Sequence, residues 1–96
     1  MSGRYKELGQ SRTIVETANT WTEIVIPIGA INPLITVDGI TVFFRISTVN
    51  TLNPETQGSY ISATGGYNYE GVNSAAVSLY ISTSIATTAT LQWTAE

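Results

Sequence analysis

The sequence predicts an all-β protein, an antiparallel β-sandwich of about eight short strands, jelly-roll-like or Ig-like. Three observations predict it. The chain is β-branched throughout, with 15 Thr, 11 Ile and 7 Val against 5 Leu and 1 Met, which suits pleated, half-buried surfaces and not a helical bundle. Apolar residues alternate with polar ones in short runs, and the runs recur every eight to twelve residues with turn residues between them. Finally, only 11% of the 96 residues are charged, while Ser and Thr together supply 24 of them. That composition fits neither a disordered tail nor a coiled coil, and the length allows one domain.

A first strand is expected near Arg12–Thr17. The second spans Trp21–Ile28, where Ile24, Ile26 and Ile28 share one face while Trp21, Glu23 and Val25 share the other. Pro27 cannot donate to a ladder, so this strand is at an edge or ends there. Leu34–Val37 and Ile40–Ile46 flank Asp38-Gly39, the dipeptide of a two-residue type I′ hairpin. That register pairs Val37 with Ile40 and Ile35 with Val42, and turns all four inward with Phe44 and Ile46. A wider turn, longer by an even number of residues, leaves the same faces.

Thr48–Gly58 is the longest stretch without strand character and is expected to be an exposed loop. Tyr60–Thr64 and Tyr67–Glu70 follow, with Gly65-Gly66 as a second tight-hairpin candidate. In Ala75–Ser82, Val77, Leu79 and Ile81 point inward and Ser78, Tyr80 and Ser82 outward. The last strand is Thr88–Thr94, with Ala89, Leu91 and Trp93 on one face. Ile61 completes the expected core. Trp21, Val25, Phe43, Tyr60, Tyr67, Tyr69 and Tyr80 are left outside, too many large groups for one free surface.

Charge divides the chain at residue 12. Residues 1–12 carry Arg4, Lys6 and Arg12 against Glu7, whereas residues 13–96 carry only Arg45 against six carboxylates. A basic N-terminal arm, 1–12, is thus expected to precede an acidic sandwich domain, 13–96. The arm is either a solvated terminus or a segment that orders against an acidic partner surface. The body has the wrong sign for nucleic acid. No apolar run approaches the roughly 20 residues that span a bilayer, and no apolar stretch follows the Met-Ser-Gly-Arg-Tyr-Lys start as a secretory signal requires.

With no Cys and no His, the sequence supplies no thiol nucleophile, no histidine general base and no ligand set of the zinc type. Acid–base work would need two of Glu16, Glu23, Asp38, Glu55 and Glu70 to converge in a cleft, but Asp38 is accounted for by its turn, Glu23 and Glu70 take solvent-facing strand positions, and a domain this size has little room for a deep pocket. Asn50, Asn53 and Glu55 are too few for calcium. Gly65-Gly66 leads into a strand-like tyrosine and not a phosphate-binding helix. No cofactor, metal or catalytic residue is therefore expected, and the chain is read as a non-enzyme. Tyr60, Tyr67 and Tyr69, with Asn68 beside them, admit three readings: cross-strand pairs that stabilise a sheet, a subunit interface, or a glycan platform. Trp21 shares that ambiguity. Arg45 is a lone solvated charge or an interchain partner beside Phe43. The expected partner interface is Arg4, Lys6, Arg12, Trp21, Phe43, Arg45, Tyr60, Tyr67 and Tyr69.

Three strings, Ala18-Asn19-Thr20-Trp21-Thr22-Glu23-Ile24-Val25-Ile26-Pro27, Val77-Ser78-Leu79-Tyr80-Ile81-Ser82-Thr83-Ser84 and Ala89-Thr90-Leu91-Gln92-Trp93-Thr94, resemble small β-sandwich virion proteins of tailed bacteriophages. Among these the chain looks most like a capsid decoration (cement) protein or a fibre module. The resemblance implies a mobile N-terminal arm, assembly as a homotrimer or dimer, and a seat on the capsid surface. It makes the partners other copies of the chain and the major capsid protein or another virion structural protein. It also implies synthesis in the host cytoplasm, and carries over no catalytic residue. The alternatives are a glycan- or receptor-binding module of a tail or head fibre, and a small tail or connector component.

Overall fold

The computed structural model describes residues 7–38, 42–69 and 75–95. Among these residues there is no helix. Eight strands form two four-stranded antiparallel sheets: β1 (Glu7–Val15), β2 (Thr22–Ile26), β3 (Ile31–Val37), β4 (Phe43–Ser47), β5 (Ser59–Ser62), β6 (Tyr67–Asn68), β7 (Val77–Thr83) and β8 (Thr87–Ala95). One sheet has the order β1-β8-β3-β6 and the other β2-β7-β4-β5. That paired order is the jelly roll, which decides between the two sandwich types the sequence left open.

The period of two explains the core. Val15, Ile35, Ala89 and Leu91 from the first sheet, with Ala30 just before β3, meet Ile24, Ile26, Phe44, Ile46, Leu79 and Ile81 from the second in one buried cluster. Val37, Ile61, Val77 and Trp93 pack on its margin. Phe44, the largest fully buried side chain, sits on the strand between β5 and β7. β3 carries an irregularity in its pairing with β8 between Ile31 and Leu34, where Asn32 has φ +47°. A bulge there lets Pro33, which has no N–H to offer the ladder, be buried.

Several expectations change. β1 begins at Glu7, so residues 7–12, grouped by charge with the arm, pair in unbroken register with Ala95 through Thr90 of β8. Neither tight hairpin exists. β3 and β4 lie in different sheets, and so do β5 and β6. Asp38 stays with β8, its N–H donating to the Thr88 carbonyl (3.0 Å) while its own carbonyl accepts from Thr87 Oγ1 (2.7 Å). The reason is physical: alternation fixes which face a residue occupies but not its partner, and in a sandwich both inner faces point into the same core. Val42, expected inside, is 73% exposed, and the Ile40 assignment lies outside the described residues. Ile28, also expected inside, is 70% exposed. It follows Pro27 in a turn closed by the Ala30 N–H on the Pro27 carbonyl (3.2 Å), so the strand period no longer applies to it.

Gly66 lies where the chain crosses from β5 to β6. Its φ is +69°, and a Cβ there would come within 2.8 Å of the Ile35 carbonyl oxygen. Glycine is required twice over, for the dihedral and for the close approach to β3.

Candidate functional site

β4 and β5 are neighbours in sequence and in the sheet, and they are joined by the long 48–58 loop. That loop folds back against the outer face of its sheet. The Trp21 Nε1–H donates to the Leu52 carbonyl (2.9 Å), and Ser82 Oγ–H donates to the Pro54 carbonyl (3.2 Å). The Ser47 hydroxyl bonds the Val49 carbonyl (2.6 Å) and accepts from the Val49 N–H (3.0 Å). Asn53 knots the loop: its Oδ1 accepts from the Glu55 N–H and its carbonyl from the Gln57 N–H. Ser82, expected outside by alternation, is buried under this loop together with Ser47.

Beyond the loop, on the same face, three of the expected interface residues converge. Arg45 of β4 is the direct cross-strand partner of Tyr60 of β5, and Phe43 stands two residues before Arg45 on the same side of the strand. The Phe43 and Tyr60 rings stack with centroids 4.6 Å apart and planes 17° from parallel. The Arg45 guanidinium carbon lies 5.8 Å from the Phe43 centroid and 5.7 Å from that of Tyr60. Both distances are within cation–π range, worth about 0.5–1 kcal/mol each at an exposed site. Tyr60 is 60% exposed, whereas Arg45 Nε is buried and makes no hydrogen bond among the described residues. The rings therefore hold the cation in place while its terminal nitrogens retain donor capacity.

Of the other six expected residues, the four that are described do not join this cluster. Arg12 is exposed on the outer face of the opposite sheet, across from Thr90. Arg4 and Lys6 lie outside the described residues. Trp21 is half-buried and serves as the anchor of the 48–58 loop. Tyr67 and Tyr69, expected on an outer surface beside Tyr60, instead pack against the core from the other sheet. The missing hairpin explains this correction: once β5 and β6 part into different sheets, the tyrosines part as well.

Sequence reasoning missed a cleft of about 300 Å³ between the sheets, where the 48–58 loop leaves β4 and returns to β5. Its walls include Ile46, Leu52 and Leu79, with Ser47, Thr48, Ser59 and Tyr67. Such a wall offers hydroxyls and apolar surface, and no acid–base pair. The only sequence signal for it was the length of the loop. Among the described residues no group of three or more potential metal ligands occurs.

Comparison with protein-family models, with curated proteins and with solved structures finds no match to this chain. The phage resemblance accordingly rests on the residues that suggested it.

Proposed function

We propose that this chain is a non-enzymatic structural virion protein that binds and stabilises a phage capsid, a decoration or cement protein working as a homo-oligomer. The observation that carries the reading is the Phe43–Arg45–Tyr60 cluster, two stacked rings and a prepositioned guanidinium on the outer face of a rigid sheet. Aromatic residues and arginine are the groups most enriched where one protein grips another. The jelly roll supports the reading by analogy, since capsid domains use it, as do lectins. The mechanism is mass action: a subunit with affinity only for the assembled shell stabilises that shell, and symmetry repeats the effect at every equivalent site.

The test is sedimentation of the purified protein with empty heads of the phage that encodes it. The wild-type chain should co-sediment and raise the temperature at which the heads rupture. The Phe43→Ala/Tyr60→Ala variant should lose most of this while remaining folded, its own stability lowered only by the lost ring contacts, about 1–3 kcal/mol. Binding to a bacterial surface polysaccharide, with no affinity for heads, would replace this reading with the glycan-binding one.

A further inference from the structure

A jelly roll has four free sheet edges, and here they differ. β6 has two residues, β5 has four, and β2 has five and runs directly into Pro27. Each is too short or too interrupted to template another strand. β1 is the exception. It has nine residues, contains no proline, and pairs with β8 without a bulge from one end to the other. Its other side has no strand partner among the described residues. Its outward-facing side chains include two large apolar ones, Leu8 at 85% and Ile14 at 66% exposure. Proteins ordinarily blunt such an edge with lysine, proline or a bulge, and only Arg12 resembles that kind of protection.

We propose that β1 is a self-association edge: a second copy of the chain adds its own β1 antiparallel across a two-fold axis at Ser11, making one continuous eight-stranded sheet. Ser11 is the midpoint of Glu7–Val15, so this register overlaps the whole strand. It also sets Leu8 of each copy against Ile14 of the other, and Arg12 against Gln10. Centring the axis on Arg12 instead would oppose two like charges, and centring it on Gln10 would set Leu8 against Arg12. The Ser11 register alone satisfies the apolar pair and separates the charges. Because the contact is isologous, it yields a dimer and not the homotrimer implied by the resemblance. A ring built head to tail would need β1 to pair with one of the three short edges.

The inference deepens the oligomer named in the proposed function and can fail separately from it. The chain has no cysteine, so a single introduced thiol reports its own contacts. Ser11→Cys should give a covalent dimer with a short bis-maleimide, whereas Ser59→Cys, on the exposed β5 edge, should not. A mixture of Gln10→Cys and Arg12→Cys chains should cross-link faster than either alone, which fixes the register. Sedimentation velocity should show a wild-type dimer. Ile14→Lys, which alters only an exposed side chain, should weaken it about tenfold or more with an unchanged melting temperature. A monomer at all concentrations, with Ser11→Cys no more reactive than Ser59→Cys, overturns the proposal. So does a dimer that Ile14→Lys leaves intact. Head binding by a monomer would overturn it, and with it the homo-oligomer of the proposed function, while sparing capsid binding itself; a dimer without head binding would overturn capsid binding and spare the edge.

Discussion

Gly9 is the sharpest test of the packing between the two ends of the chain. It lies directly opposite Trp93 in the β1–β8 ladder, and a Cβ built on Gly9 would fall inside the van der Waals radii of the indole ring atoms. The tryptophan therefore covers the bare glycine backbone, an arrangement that recovers part of what glycine costs in a strand. Replacing Gly9 with Ala has two opposed effects. The smaller unfolded-state entropy favours the variant by about 0.5–1 kcal/mol. The collision forces Trp93 off its rotamer or separates the strands, which costs about 1–3 kcal/mol. A Cβ at Gly9 would meet three atoms of the Trp93 indole far inside contact distance, so the second effect should win, with a net loss of about 0.5–2 kcal/mol. For a domain of this size that is a melting temperature lower by about 2–15 °C. The assay is thermal unfolding followed by circular dichroism and tryptophan fluorescence. Trp93→Leu in the Gly9→Ala background should cost less than it does alone, since the two residues share one space. A Gly9→Ala variant at least as stable as the parent, or strictly additive effects in the double variant, would refute this account of the ladder.

Three further substitutions probe other levels of the structure. Phe44→Ala empties the largest fully buried position and should destabilise by about 3–5 kcal/mol in chemical denaturation. Val42→Lys, at a position 73% exposed, should change stability by no more than about 0.5 kcal/mol; a loss of several times that would restore the hairpin register in which Val42 is core. Trp21→Phe removes the donor to the Leu52 carbonyl and should cost about 0.5–1.5 kcal/mol. The same variant should be cut faster by protease within residues 48–58.

Seven of the eight strands were legible near their observed places in the sequence, and so was the face of most strand residues; β1 was only half legible, because its first six residues were grouped by charge with the arm, and Val42 lies just before β4, outside the strand whose period placed it inward. Ile24, Ile26, Ile35, Phe44, Ile46, Leu79, Ile81 and Leu91 were all expected inside and are buried. Pairing was not legible. Asp38-Gly39 has the chemistry of a tight turn, and the alternation on its two sides is correct for both strands, yet the strands belong to opposite sheets. β1 and β8 pair across nearly the whole chain length, and no local signal encodes a contact at that separation. The exceptions to the facing rule have local causes: Ile28 leaves the strand at Pro27, and Ser82 is covered by a loop whose path depends on Trp21 and Asn53.

The same distinction decides which surface residues act together. Tyr60, Tyr67 and Tyr69 are neighbours in sequence, but a sheet change separates them, and only Tyr60 stays exposed. Phe43 and Arg45 lie farther from Tyr60 along the chain, yet strand pairing brings all three into one cluster. Proximity on a β surface follows the ladder, with direct and diagonal cross-strand neighbours as its unit. Arg45 shows the consequence. In sequence it is a cation isolated in an acidic body; in the sheet it is held beside a stacked pair of rings, within cation–π range of both, with its Nε turned away from water. A guanidinium fixed in that way has lost much of its side-chain freedom before any partner arrives. An acidic or carbonyl-rich surface could then bind it with a smaller ordering cost than a mobile lysine would impose.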